Sequence, residues 1–275
     1  VSKDIPVLVI EAGRSERHYW RDLWTYRELF VFLAWRDILV RYKQTVIGVA
    51  WSVIRPVATM VVFTIVFGRI AKLPSEGVPY PLLVFSAMLP WHFFASAIAE
   101  GSNSLIENAN IISKVYFPRL IVPASAVVVS FVDFLISLAL LAILMTWYQF
   151  LPSPRVFLLP AFLLLAILVS MGLTLLLAAL NVRYRDFRYV VPFLIQFGLF
   201  ISPVGFSMSV IPEQWRWLYS LNPMVGVIEG FRWSLLPDYA LDPRALLFSV
   251  LISTIVLVAG VIYFRSTERS FADII

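Results

Sequence analysis

Asp133 is the one acidic residue predicted inside a long apolar run, and an intramembrane carboxylate marks a functional site by default. Its ordinary alternative is a carboxyl near a helix end, or one that is protonated and hydrogen-bonded. His18 and His92 lie too far apart in sequence to give a metal-ligand spacing. The chain has no cysteine, which removes disulfides and thiolate metal sites. It has no Gly-x-x-x-x-Gly-Lys-Ser/Thr phosphate loop, no glycine-rich dinucleotide turn and no Ser-His-Asp set. Covalent and metal chemistry therefore have no residues to carry them: no catalytic, cofactor-binding or metal site is expected. Any work must draw its energy from a partner or an ion gradient. An ion-driven carrier places several acids or broken spans near the midplane, and a lone Asp133 argues against one.

A second group is aromatic. Phe193, Phe197 and Phe200 fall at i, i+4 and i+7, with Gln196 alongside. Such a stripe packs against protein or lipid, or it lines a path on which the C–H faces of sugars slide over rings. These four residues are the candidate channel lining.

The elements that position these groups follow from composition. The chain is 60% hydrophobic and 14% charged, against about 45–50% and 25% in globular domains. This is a polytopic all-α membrane protein, and its net charge of +5 reads as basic loops facing the cytoplasm, with no nucleic acid as partner. Residues 1–19 lack the apolar core of a signal peptide. Six spans are predicted, at 46–68, 79–99, 120–148, 156–182, 189–212 and 245–264. Arg55-Pro56 interrupts the first; either Arg55 snorkels at the inner interface or the span starts at Pro56. Most basic residues fall on one side of this topology: Lys3, Arg14, Arg17, Arg21, Arg27, Arg36, Arg41, Lys43, Lys114, Arg119, Arg183, Arg185, Arg188, Arg265 and Arg269. Fewer fall on the other: Arg69, Lys72, Arg155, Arg216, Arg232 and Arg244. Both termini are thereby placed in the cytoplasm.

Three segments lie outside the spans. Residues 1–45 form a cytoplasmic N-terminal segment with an interface helix, leaving 46–275 as the transmembrane domain. The interface helix carries its charges as the pairs Arg21-Asp22, Arg27-Glu28 and Arg36-Asp37. They surround the axis, which suits a bent helix touching lipid on one flank and protein on another, or a plain interfacial anchor. Residues 102–118 are predicted as a short docking helix capped by Ser102 or Ser104, with Leu105, Ile106, Ile111 and Ile112 available for contact. Residues 212–237 are split by Asn222-Pro223 into pieces too short to span, as in a re-entrant hairpin on the outer side. There Asn222 is an N-cap, Pro223 opens a helix, Gly226 and Gly230 permit close helix contact, and Trp215 and Trp217 suit a membrane interface.

These segments together resemble the membrane subunits of type-2 ABC transporters that export polysaccharides, the O-antigen and teichoic-acid exporters. The resemblance rests on RDILVRYKQTVIGVAW at 36–51 leading to Pro56, NANIISKVYFPR at 108–119 and NVRYRDFR at 181–188. It continues through Ser202-Pro203-Val204, Leu221-Asn222-Pro223-Met224 and Glu229-Gly230-Phe231-Arg232. It implies a homodimeric channel in a bacterial cytoplasmic membrane, with two cytoplasmic ATPase subunits that bind ATP and Mg. Those subunits dock partly on Leu105, Ile106, Glu107, Asn108, Asn110, Ile111 and Ile112. The implied substrate is a lipid-linked glycan on an undecaprenyl-type carrier. The rival is a permease for a small hydrophobic molecule on the same fold. An enzyme of lipid-linked sugars would need clustered acids or a basic phosphate pocket, and neither is evident in the sequence.

Overall fold

The computed structural model describes residues 19–43 and 46–271, and among them every regular element is helical. Lys3, Arg14, Arg17 and His18 lie outside the described residues. The N-terminal segment forms α1 (Tyr19–Thr25) and α2 (Arg27–Lys43), with a bend at Tyr26 between them. The outer flank of the pair exposes Trp20, Trp24, Phe32 and Trp35, while Leu33 and Ala34 are buried.

Among the described residues, five helical stretches are long and apolar enough to cross a membrane. α3 (Val46–Phe63) contains Pro56 and continues to Ile70 with a wider final turn, in which the Ala71 N–H donates to the Val66 carbonyl. α4 (Tyr80–Glu107) is longer than the predicted 79–99. A one-turn helix, α5 (Ala109–Ile112), follows it. α6 (Ile121–Trp147), α7 (Leu159–Arg183) and α11 (Pro243–Thr267) supply the other long helices.

The predicted fifth span, 189–212, is not one continuous helix. α8 (Phe187–Ile201) stops after 15 residues, about 22 Å at 1.5 Å per residue. A membrane core of about 30 Å asks for more. Pro203 is the cause: the residue before a proline is driven out of the helical region, and Ser202 is extended. The chain then forms α9 (Glu213–Tyr219) and α10 (Pro223–Leu235) before α11.

α4 is the hub, packing against α6, α7, α10, α8 and α3. Its segment from Leu82 to Trp91 is buried throughout, so its apolar residues need no helical stripe. α7 is tied to it by side chains that satisfy each other. The Thr174 hydroxyl donates to the Ala97 carbonyl at 3.1 Å, and the Asn181 amide donates to the Ser102 carbonyl at 2.9 Å. α7 and α11 approach backbone to backbone at Gly172, where a Cβ would stand 2.6 Å from the Leu257 nitrogen.

Candidate functional site

The turn after α4 differs from the predicted docking helix. Ser102 and Ser104 are interior to α4 and donate to the carbonyls of Ala99 and Gly101, one turn back. Asn108 makes the break, and α5 is a single turn. Leu105 and Ile112 are buried in the chain's own core beside Leu33, Phe117 and Ile121, and are not available for docking. Ile106, Glu107 and Asn110 are exposed, and Asn108 and Ile111 are half-buried. Arg36 of α2 donates to the Asn108 side-chain oxygen at 2.8 Å, so α2 is bonded to this turn.

Asp133 does not stand alone, contrary to the sequence expectation. Arg41 of α2 lies 3.1 Å from Asp133 and 2.6 Å from Glu100, and Tyr42 donates to the other Asp133 oxygen. Glu100 belongs to the stretch of α4 that the predicted span left out. Burial, then the bond to Asp133, pushes the Tyr42 hydroxyl above the usual tyrosine range, so it stays protonated and donates. A carboxylate that would be costly inside a membrane is thus matched by a guanidinium and a phenol from another helix.

The α8 face presents Phe193, Gln196, Phe197 and Phe200 together, all exposed. The Phe193 and Phe197 rings are stacked, 5.9 Å apart and 8° from parallel. The face is continuous, and among the described residues none covers it.

Between α8 and α10 lies a network that sequence reasoning missed. Arg232, counted above among the basic residues of the outer side, is completely buried, and Glu229 beside it is almost so. Arg232 donates to the carbonyls of Leu83 at 3.2 Å, Phe206 at 2.8 Å and Val204 at 3.1 Å, and faces Glu229 at 3.4 Å. Glu229 also accepts from the Tyr239 hydroxyl at 2.8 Å. Burial raises that hydroxyl to about 12, which keeps it a donor. The Tyr80 hydroxyl donates to the Gly205 carbonyl at 2.7 Å. The backbone from 202 to 206 has left the helix, and these donors take the place of water for its carbonyls. The available signal was Glu229 and Arg232 at i, i+3 within an otherwise apolar helix.

The hairpin residues are placed as follows. Asn222 caps α10, accepting from the Met224 N–H at 3.0 Å, and its amide donates to Ser202 at 2.9 Å. Pro223 occupies the first turn. Gly226 lies against Ala245 and Ser249 of α11, whose hydroxyl accepts from the Gly226 N–H at 2.9 Å. Gly230 lies against the Phe162 ring of α7. Trp215 and Trp217 on α9 are exposed. Among the described residues no cluster of His, Cys, Asp and Glu is arranged to hold a metal ion.

The family model for ABC-2 type transporters matches residues 28–236. The O-antigen export system permease protein RfbA of Myxococcus xanthus is 28% identical over 256 residues, 92% of this chain and 97% of that protein. Its namesake from Klebsiella pneumoniae is 26% identical over 90% of this chain and 95% of its own length. The polysialic acid transport protein KpsM of Escherichia coli is 23% identical over 86% of this chain and 92% of its own.

Proposed function

The chain belongs to the ABC-2 type transporter family, and from that premise we propose that it is the membrane subunit of an ATP-driven polysaccharide exporter. The substrate is a lipid-linked, O-antigen-like glycan, and the membrane is the bacterial cytoplasmic membrane with both termini inside. The observation that carries this reading is the reach of the likeness. Relatives named for O-antigen export and for polysialic acid transport align along 86–92% of this chain.

Two copies form the path, with the exposed α8 aromatics facing it. Rows of rings hold a polymer through moderate contacts and let it slide. ATP and Mg are bound by two partner subunits, because this chain has no phosphate loop. The partner docks on the turn after α4 through Ile106, Glu107, Asn110 and Ile111, with Leu105 and Ile112 supporting the turn from inside. α8, the bonded segment that follows it and the α9–α10 hairpin together make a sixth crossing and its re-entrant outer element. Irregular backbone at membrane depth is tolerated when protein supplies its hydrogen bonds, as Arg232 does here.

The test is deletion of the gene in its source organism. Loss of surface polysaccharide, with lipid-linked polymer accumulating inside and both reversed by complementation, is the expected result. Unchanged surface polymer, together with new sensitivity to a small hydrophobic compound, would replace this reading with drug export.

A further inference from the structure

The Arg41 ion cluster forms one wall of a cavity of about 260 Å³ between α2, α3, α4 and α6. Its acidic groups are already committed. Asp133 is held by Arg41 and Tyr42, and Glu100 by Arg41 and Ser96. Two other groups on the lining are not. Arg55 is exposed and, among the described residues, makes no ion pair. The Nε2 of His92 is shut off from the surface and has no hydrogen-bond partner. A buried polar atom without a partner calls for one, and an uncompensated cation on an apolar helix is costly.

Position narrows the ligand. α3 starts at Val46 and its sequence is apolar on both sides of Arg55, so this cation lies within an apolar run, where it needs an anionic counterpart. A guanidinium and an unpartnered imidazole on the lining of one cavity fit an anion with several oxygens. Phosphate matches the arginine fork in paired hydrogen bonds and keeps an oxygen for the imidazole. Phe93 and Phe134 on the same lining give an apolar tail a surface to lie on.

We propose that the Arg55–His92 cavity binds the phosphate head of a membrane amphiphile, with Arg55 and the His92 Nε2–H as donors. The proposal deepens the exporter reading and rests on it for the membrane setting, since a lipid-linked substrate would present such a head. Free phosphate shares the chemistry but lacks the tail.

The full chain, purified in dodecyl maltoside, is titrated with dodecyl phosphate and separately with inorganic phosphate by calorimetry. Saturable binding of dodecyl phosphate is expected, with inorganic phosphate far weaker. Arg55→Gln should weaken binding at least about tenfold and His92→Phe less, as loss of charged and neutral hydrogen bonds implies. Arg55→Lys should retain part of it, and Arg244→Gln, an exposed arginine at the start of α11, should change nothing. If Arg55→Gln fails to fold, Arg55→Lys and His92→Phe carry the comparison. Absence of saturable binding, or full binding by the Arg55 and His92 variants, overturns the site. Inorganic phosphate binding as tightly as dodecyl phosphate overturns the amphiphile. Cellular export is scored separately: export without binding sinks this site alone, and binding without export sinks the exporter reading alone.

Discussion

α8 and α10 are near neighbours in the chain and similar in length, yet their surroundings are reversed. α8 has one charge, Arg188, in its first turn, and of its residues Val191 alone is buried. α10 carries Glu229 and Arg232 in its middle, and nearly all of it is buried. In water the apolar helix would go inside and the charged one outside. A membrane reverses the arithmetic, because lipid or a neighbouring apolar surface is as good a solvent for phenylalanine as a core is. What lipid cannot supply is a set of oxygens for a guanidinium, and Arg232 finds them in carbonyls freed where α8 ends. The two helices are therefore one construction. Pro203 stops α8, its released backbone needs donors, and α10 brings them.

The sharpest break in this contrast is Arg232→Leu. It leaves Glu229 buried without its cation and several carbonyls without donors, a loss of about 3–5 kcal/mol for a broken buried pair. Thermal unfolding in detergent should show a strongly lowered midpoint, and Arg232→Leu with Glu229→Gln should recover part of it. An unchanged midpoint would mean the pair does not hold the 202–206 segment.

A smaller loss is expected at the turn after α4, where the same inside–outside distinction separates two isoleucines. Ile112→Asp removes a core side chain at about 2–3 kcal/mol or more, and should lower protein yield. Ile106→Asp, on an exposed site, should leave yield intact and reduce co-purification of the ATPase partner. Equal behaviour of the two variants would dissolve the distinction.

Next in size is Gly230→Ala on α10. Its methyl would meet the Phe162 ring, and overpacking typically costs about 1–3 kcal/mol. The unfolding midpoint measures it, and no shift would show that α7 yields freely.

The least effect on stability is expected on α8. Replacing Phe193, Phe197 and Phe200 together by Ala should cost no more than about 0.5 kcal/mol per site, as for surface positions. Export of long polymer should nevertheless fall while protein level holds. Because the native chain has no cysteine, single cysteines at these positions report their surroundings directly. Labelling by a water-soluble thiol reagent during ATP-driven turnover supports a path; resistance in every state assigns the stripe to lipid.

Much of the fold was legible because it is local. Apolar runs located the long helices, and Asn222-Pro223 marked the start of α10 through a cap and a fixed φ. The ends were less legible. α4 continues through Glu107 because Ser102 and Ser104 bond back into the helix instead of capping a new one. α8 ends early at a single proline inside a run that hydropathy reads as unbroken. The docking residues divided into inner and outer sets only once Leu33 and Phe117 were seen covering Leu105 and Ile112.

By itself, the sequence determined that the chain is helical and built to cross a membrane, that it carries no phosphate loop, and to which family its motifs are similar. Those properties are sums over neighbouring residues or patterns at fixed spacing. The tertiary structure alone decided which charges meet. Tyr42 and Asp133 are 91 residues apart, and Arg232 and Leu83 are 149 apart. Such pairings depend on how helices are placed against one another. A buried charge is stable only where a distant segment brings its counterpart, and local sequence carries no record of that arrival.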